Sequence, residues 1–235
     1  MTAAGAARDL TALRDAATVV LVRRGVDGPS VLMGMRGAKA AFMPSKFVFP
    51  GGAVDPEDAG TALAAEPDTA ITARLQAEGR SESNVTPRQI LVAALRELAE
   101  ETGLLIGKPG QSDMTGYREA GLVPDASGLR YVFRAITPPG RPRRFDARFF
   151  LADAATVHGD SDDFSRACDE LSHLHWVPMA EARRLELPFI TEVVLAECAA
   201  TVAASGDGPL LAPASVPFFD NRENRSRFIQ IGSEE

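Results

Sequence analysis

The sequence predicts an α/β protein built on a mixed sheet, and three observations carry that prediction. Short β-rich runs alternate with stretches of helical periodicity, two of the runs are joined by a turn too short for a crossover, and one helix has signals at both ends. The short turn makes part of the sheet antiparallel, because parallel neighbours need a longer connection.

Residues 16–23 (AATVVLVR) and 30–35 (SVLMGM) are the first two strands, split by Gly25-Val26-Asp27-Gly28-Pro29 as a hairpin turn. Residues 46–49 form a short apolar stretch that Pro50-Gly51-Gly52 breaks. The stretch 58–84 is rich in Ala, Glu, Ser and Thr; residues 69–78 can form a helix, but nothing in the stretch reads as core. Thr86 then caps a strong helix, with Pro87 at its first position, Gln89 completing a capping box and Gly103 stopping it. Residues 129–136 and 145–151 are strands flanking a Pro-rich loop, 137–142, that cannot be regular structure. Residues 171–177 read as a strand, and 179–185 and 190–204 as helices. After Gly206 little pattern remains, although Phe218, Phe219, Phe228 and Ile229 suggest that the tail docks.

The 235 residues allow one or two domains at about 150 residues each. A net charge of −7 argues against a nucleic-acid polymer as partner, since phosphate neutralisation needs a basic face. No apolar run approaches a membrane span, and residues 1–13 contain no signal-like hydrophobic segment. Cys168 and Cys198 make neither a metal spacing nor a disulfide framework, as expected of thiols in a reducing cytosol. These features describe a cytoplasmic enzyme.

The chemistry concentrates on residues 94–104, ALRELAEETGL. At about 100° per residue, Glu97, Glu100 and Glu101 share one arc, while Leu91, Ala94, Leu95 and Leu98 form a separate apolar stripe. Like charges at these spacings repel unless a cation lies among them. Two readings follow from the residues alone: a solvated acidic face, or a hard divalent cation held together with substrate phosphates.

With Phe49-Pro50-Gly51-Gly52 upstream, the segment resembles the Nudix box, G-x5-E-x7-R-E-U-x-E-E-x-G-U, where U is aliphatic. Arg96, Glu97, Leu98, Glu100, Glu101, Gly103 and Leu104 match every fixed position of its second half. The first half departs from the pattern. With Gly52 as the box glycine, Asp58 fills the glutamate slot; choosing Gly51 would put Glu57 there. The arginine due at position 66 stands at 96, so 30 residues are inserted. Both departures resemble the interrupted-box branch, whose peroxisomal mammalian member is a coenzyme A diphosphatase. The run from Arg143 to Phe150 after the Pro-rich loop is similar to that branch as well. The chain ends Gly-Ser-Glu-Glu and not Ser-Lys-Leu, so no peroxisomal address is expected.

The resemblance implies a Nudix-type α/β/α sandwich with an inserted helical segment: one domain over 1–235, with a core at 14–205, the insertion at 59–88 and a tail at 206–235. It implies metal-dependent hydrolysis of NDP-X to NMP and P-X. Glu97, Glu100 and Glu101, with the carbonyl of Gly52 or Gly51, would hold one to three Mg²⁺ or Mn²⁺ ions that neutralise the diphosphate and activate water. Arg96 is expected to point away from the trio and orient the loop by pairing with Asp58, which is shorter than Glu and needs the inserted segment to bring it close. The general base is Glu97 or a late-loop carboxylate among Asp160, Asp162, Asp163 and Glu170, which also read as a solvated acidic loop.

Arg141, Arg143 and Arg144 form the densest basic cluster and would meet an anionic substrate end, if they are not simply a solvated strand entry. Arg36 precedes the Gly pair with the spacing of the coenzyme-A-type motif, although Ala41 and Ser45 stand where Arg and Gly are expected. His158, His173 and His175 read as packing or surface residues, and Trp176 as core or a base-stacking ring. Coenzyme A or acyl-coenzyme A is the leading substrate, with ADP-ribose or a nucleotide sugar as the alternative. A nucleotide-sensing module without catalysis is the rival class. The sequence does not fix the oligomeric state; dimers are common in families like this one, so a homodimer is compatible with the resemblance, and no membrane partner is expected.

Overall fold

A computed structural model of the chain describes residues 12–37, 43–223 and 225–232. The N-terminal segment, Ala41 and the last three residues, on which some sequence expectations rest, lie outside them. Among the described residues, nine strands form one mixed sheet. The first hairpin joins β1 (Leu13–Gly25) to β2 (Gly28–Arg36), with Gly25 opposite Gly28 across a two-residue turn. β3 (Phe47–Val48) pairs antiparallel with β2, and β4 (Gly51–Ala53) pairs with β1. A 3-10 turn, Pro56–Gly60, then leads through α1 (Thr69–Gln76) to α2 (Pro87–Thr102).

A small hairpin follows, from β5 (Gly107–Pro109) through α3 (Tyr117–Ala120) to β6 (Leu122–Pro124). β7 (Arg130–Ile136) and β8 (Arg144–Asp153) are antiparallel, and β8 runs parallel to β1. β9 (Leu171–Pro178) pairs with β2 and feeds α4 (Met179–Ala182) and α5 (Phe189–Ser205). The expected helix over 179–185 is a single turn, and residues 183–187 lead irregularly to Pro188.

β1 sits centrally and is covered on both faces, which explains its unbroken apolar run. Ala17, Val19 and Leu21 face a core shared with α1 and α2; Val20 and Val22 face a second core shared with α5. Alternation divides Phe149 and Phe150 of β8 in the same way, so the sheet lies between helical layers as an α/β/α sandwich. No helix among the described residues is long and apolar enough to cross a membrane.

One expectation is corrected here, and the expected docking of the tail takes a definite form. The stretch 58–84 does contribute core: Ile71 and Leu75 of α1 are buried against α2, and Arg80 is buried among charges. The segment after Gly206 forms β10 (Val216–Asp220), parallel to β7, and β11 (Arg227–Ile231), which closes that edge. These two late additions grip each other. Arg74 of α1 donates to the carbonyls of Pro213 and Ala214 at 2.7 and 2.6 Å, and Arg222 donates to the Glu78 carbonyl at 3.2 Å and its carboxylate at 2.8 Å.

Beneath the insertion lies a buried ionic network that the sequence reading missed. Asp146 of β8 accepts two bonds from Arg134 at 2.8 Å and one from Arg80 at 2.9 Å. Asp15 of β1 accepts from Arg80 and Ser83, both at 2.6 Å, and from Arg148. Arg134 also donates to the carbonyls of Ala77 and Glu78, both at 3.1 Å, so the end of α1 is tied to the sheet.

Candidate active site

α2 begins and ends where its signals place it. Gln89 N–H donates to Thr86 Oγ1 and Thr86 N–H to Gln89 Oε1, closing the capping box, and Gly103 takes the left-handed conformation with φ 76°. That glycine is required twice over, since a Cβ there would lie 2.9 Å from Arg166 Cβ. Leu91, Ala94, Leu95 and Leu98 are all buried, which fixes the rotation of the helix and aims Glu97 and Glu101 at the Gly51-Gly52 strand.

The three carboxylates occupy different environments. The Glu101 side chain is 2% exposed and accepts from Gly51 N–H at 2.7 Å, while that of Glu100 is 50% exposed. Glu97 lies between them and directly against Gly52: a Cβ on Gly52 would stand 2.4 Å from Glu97 Oε1. Glycine at 52 is thus a packing requirement of the site. Arg36 approaches from β2, donating to the Gly51 carbonyl at 3.3 Å and standing 4.0 Å from Glu101 Oε1.

Arg96 pairs in a fork with Asp58, at 2.8 and 3.1 Å, and donates to the Ala53 carbonyl at 2.9 Å. The 3-10 turn at 56–60 carries Asp58 inward, where its shorter side chain reaches the guanidinium and also accepts from Asp55 N–H at 2.8 Å. The expectation that Arg96 points away from the trio is corrected: its Nη1 donates to Glu97 at 2.9 Å and Glu100 at 3.1 Å. Arg96 and Glu100 are one turn apart on the helix, so a long side chain spans both directions.

Burial pushes the Glu97 carboxyl up to about 7 against the pull of Arg96, with Glu100 and Glu170 adding to the rise. Burial likewise pushes Glu101 up to about 8, opposed by Gly51 N–H and Arg36 and assisted by the charges of Glu97 and Glu170. Glu170 is thus a late-loop carboxylate whose charge acts on both members of this pair. Asp162 pairs with Arg23 at 2.9 Å, and Asp160 and Asp163 cap local turns. The loop is anchored at both ends: Cys168 N–H donates to the Glu100 carbonyl at 3.0 Å, and Arg23 stacks on Trp176, whose Nε1 donates to Ser161 O. Trp176 thus holds the loop. His173 and His175 are exposed.

A divalent ion fits this donor set. Glu101 Oε1 is buried without a hydrogen-bond partner, an orphan acceptor in a site of oxygen ligands. Among the described residues no three His, Cys, Asp or Glu side chains converge into a preformed cage. Mg²⁺-type sites do not require one, since such ions combine a few carboxylates with water and substrate phosphate.

The raised carboxyls yield a pH prediction. Between the ordinary 4.5 and about 7 to 8, the folded chain holds more protons than the unfolded one, so the metal-free protein loses stability as pH rises through that window. A cation that needs both groups ionised acts in the opposite sense. The rise in Tm on adding Mn²⁺ is expected to be larger at pH 8 than at pH 6; equal rises would show that Mn²⁺ binds away from Glu97 and Glu101.

Beside Gly51 and Gly52 a cleft of about 730 Å³ opens, walled by Phe49, Phe145, Phe149, Phe189 and Phe219, with Arg36, Lys46 and Arg141 among its lining. Of the predicted basic cluster, only Arg141 reaches the cleft. Arg143 is exposed outside its lining, and Arg144 donates to the carbonyls of Thr137 and Asn221 at 3.1 and 3.0 Å, which makes it a strand-end tie. Sequence reading missed Lys46 and Phe189; the signal for Phe189 was its place after Pro188 at a helix start.

No protein-family model matches the chain. A Caenorhabditis elegans protein, "Putative nudix hydrolase 7", is 31% identical over 186 residues, covering 72% of this chain and 52% of the relative. The chain thus spans about half the length of that curated relative. A crystal structure of a NUDIX hydrolase from Alicyclobacillus acidocaldarius superposes with a TM-score of 0.57 at 27% identity, covering 85% of this chain and 99% of that one. The sandwich with its carboxylate helix is a Nudix fold, and these two similarities support its grouping with the Nudix hydrolase superfamily.

Proposed function

We propose that the chain hydrolyses the diphosphate linkage of a nucleoside-diphosphate-type compound, NDP-X, to NMP and P-X, with coenzyme A or an acyl-coenzyme A as substrate. The observation that carries the reading is the buried Glu101 carboxylate, with its unpartnered oxygen, set between Gly51 and Glu97 beside the cleft. Glu97, Glu100 and Glu101 would hold Mg²⁺ or Mn²⁺, which supplies charge neutralisation of the diphosphate and activation of water. Arg36 and Arg141 orient the anionic groups, and Arg96 holds the Asp58 turn and the Ala53 carbonyl in place.

Glu97, which lies against Gly52 beside Glu101, is the first candidate to accept a proton from the attacking water, and Glu170 is the second. Loss of the acidic limb of the kcat profile, where the base is protonated, in Glu97→Gln but not Glu170→Gln assigns the base to Glu97. The apolar walls of the cleft support a substrate with an extended apolar portion, which favours an acyl-coenzyme A over a compact nucleotide sugar.

The test is a panel of coenzyme A, acyl-coenzyme A, ADP-ribose and a nucleotide sugar, each with Mg²⁺ and with Mn²⁺. Preference for the acyl ester supports the reading; preference for ADP-ribose moves the assignment to the alternative substrate. Thermal protection without product release would mark a sensing module. Arg141→Ala is expected to raise KM about tenfold with kcat unchanged, the signature of uniform binding by a charge-assisted hydrogen bond.

A further inference from the structure

We infer that Arg80, inside the 30-residue insertion, is a positioning residue for the Gly51–Val54 segment of the carboxylate site, an inference that rests on the function proposed above. The side chain is 2% exposed and joins Asp15 at 2.6 Å to Asp146 at 2.9 Å. Asp15 has a second role: its backbone carbonyl accepts from Val54 N–H at 2.9 Å. The next residues of β1 continue that contact, with Ala16 opposite Ala53, Ala17 opposite Gly52 and Thr18 opposite Gly51. Ala53 in turn holds Arg96 through its carbonyl. A side chain from the insertion therefore holds the residue against which the glycine strand ends.

The geometry gives the insertion a purpose that its sequence conceals. It separates Asp58 from Arg96 in the chain, and it is itself tied back to the strand that the Gly51–Ala53 segment pairs with. Arg80 and Ser83 both bind Asp15 Oδ2, each at 2.6 Å, and so return the chain to β1 before α2 starts. The charge balance distinguishes this tie from the rest of the network. Asp15 and Asp146 are already matched by Arg134 and Arg148, with Arg80 additional to that set and facing Glu82 at 3.4 Å. Removing the guanidinium of Arg80 leaves two carboxylates and two guanidinia buried together.

Arg80→Met, Arg80→Lys and Ser83→Ala separate the possibilities through two readouts. Amide exchange of residues 51–54 is measured first, because it needs no substrate or metal. Arg80→Met is expected to keep cooperative unfolding while exchange at Val54 speeds at least tenfold. Mn²⁺ affinity and kcat then fall roughly tenfold with KM unchanged, in the range seen when supports of metal ligands are removed. Arg80→Lys is expected to restore part of each effect, and Ser83→Ala to give a smaller shift in the same direction. Should Arg80→Met fail to fold, the Ser83→Ala exchange rates decide. Wild-type exchange at residues 51–54 in the folded variants would overturn the inference. Faster exchange in a protein whose wild type neither binds Mn²⁺ nor cleaves a diphosphate would uphold the positioning and reject only the proposed function.

Discussion

Glu101→Gln is expected to lower kcat for diphosphate hydrolysis about a thousandfold, which corresponds to about 4 kcal/mol on the barrier. The substitution preserves shape, and the amide oxygen can still accept from Gly51 N–H, so the fold should survive. What is lost is the negative charge on a buried, otherwise unpartnered oxygen, the atom best placed to bind a hard cation. Glu100→Gln should also remove most activity, by a smaller factor, because Glu100 is half exposed and shares Arg96 with Glu97. Steady-state kinetics at saturating Mn²⁺, with Tm as the control for folding, check both. Unchanged turnover in the two variants would sink the assignment.

Asp146→Ala is the change expected to cost most in stability. It strips the carboxylate from Arg134, which keeps two backbone carbonyls, and leaves the buried Arg80 and Arg148 to share Asp15, with the exposed Glu82 also paired with Arg80. Breaking a buried pair by removing one member costs about 3–5 kcal/mol. For a chain of this size that amounts to a Tm lower by roughly 10 °C. Burial raises the Asp146 carboxyl, but the Arg134 hydrogen bond and the Arg148 charge more than offset it, and the group titrates below its ordinary 3.8. Its stabilisation is therefore present above about pH 4 and lost as pH falls further, so the difference between wild type and variant should shrink in acid. A Tm difference that stays constant down to pH 2 would count against the ionic account.

What could be read in the sequence was what is specified locally. The ends of α2 follow from Thr86, Gln89 and Gly103, and the first hairpin follows from Gly25 and Gly28, because each signal acts within a few residues. The burial of β1 was legible in its apolar run. The tail strands were not, because Val216–Asp220 contains a proline and acquires its pairing from β7, some 80 residues earlier in the chain. The ionic network was hidden for a related reason. Arg134, Asp146 and Arg148 read as the polar face of ordinary strands, and only the docking of the insertion encloses them. The signal was present in their mixed signs on adjacent strands, with Asp15 opposite in the register.

Within the candidate site, the box identified its residues but not their inequality. Helical geometry puts Glu97, Glu100 and Glu101 on one arc. Only packing against Gly51 and Gly52 buries Glu101 and leaves Glu100 in water. The same applies to the basic cluster, where Arg141, Arg143 and Arg144 are neighbours in sequence yet only Arg141 lines the cleft.

The grip between the insertion and the tail has a consequence for how such chains arise. Arg74 and Arg222 each cross from one segment to the other, and Gly232 packs so closely on Arg74 that a Cβ there would lie 2.7 Å from its Nε. Neither segment is complete as a graft: transplanting the insertion alone would remove the carbonyl partners of Arg74, and transplanting the tail alone would leave Arg222 only its bonds to Asp220. Lineages that carry one should carry the other, and a designer moving this interrupted motif into a shorter host would have to move both.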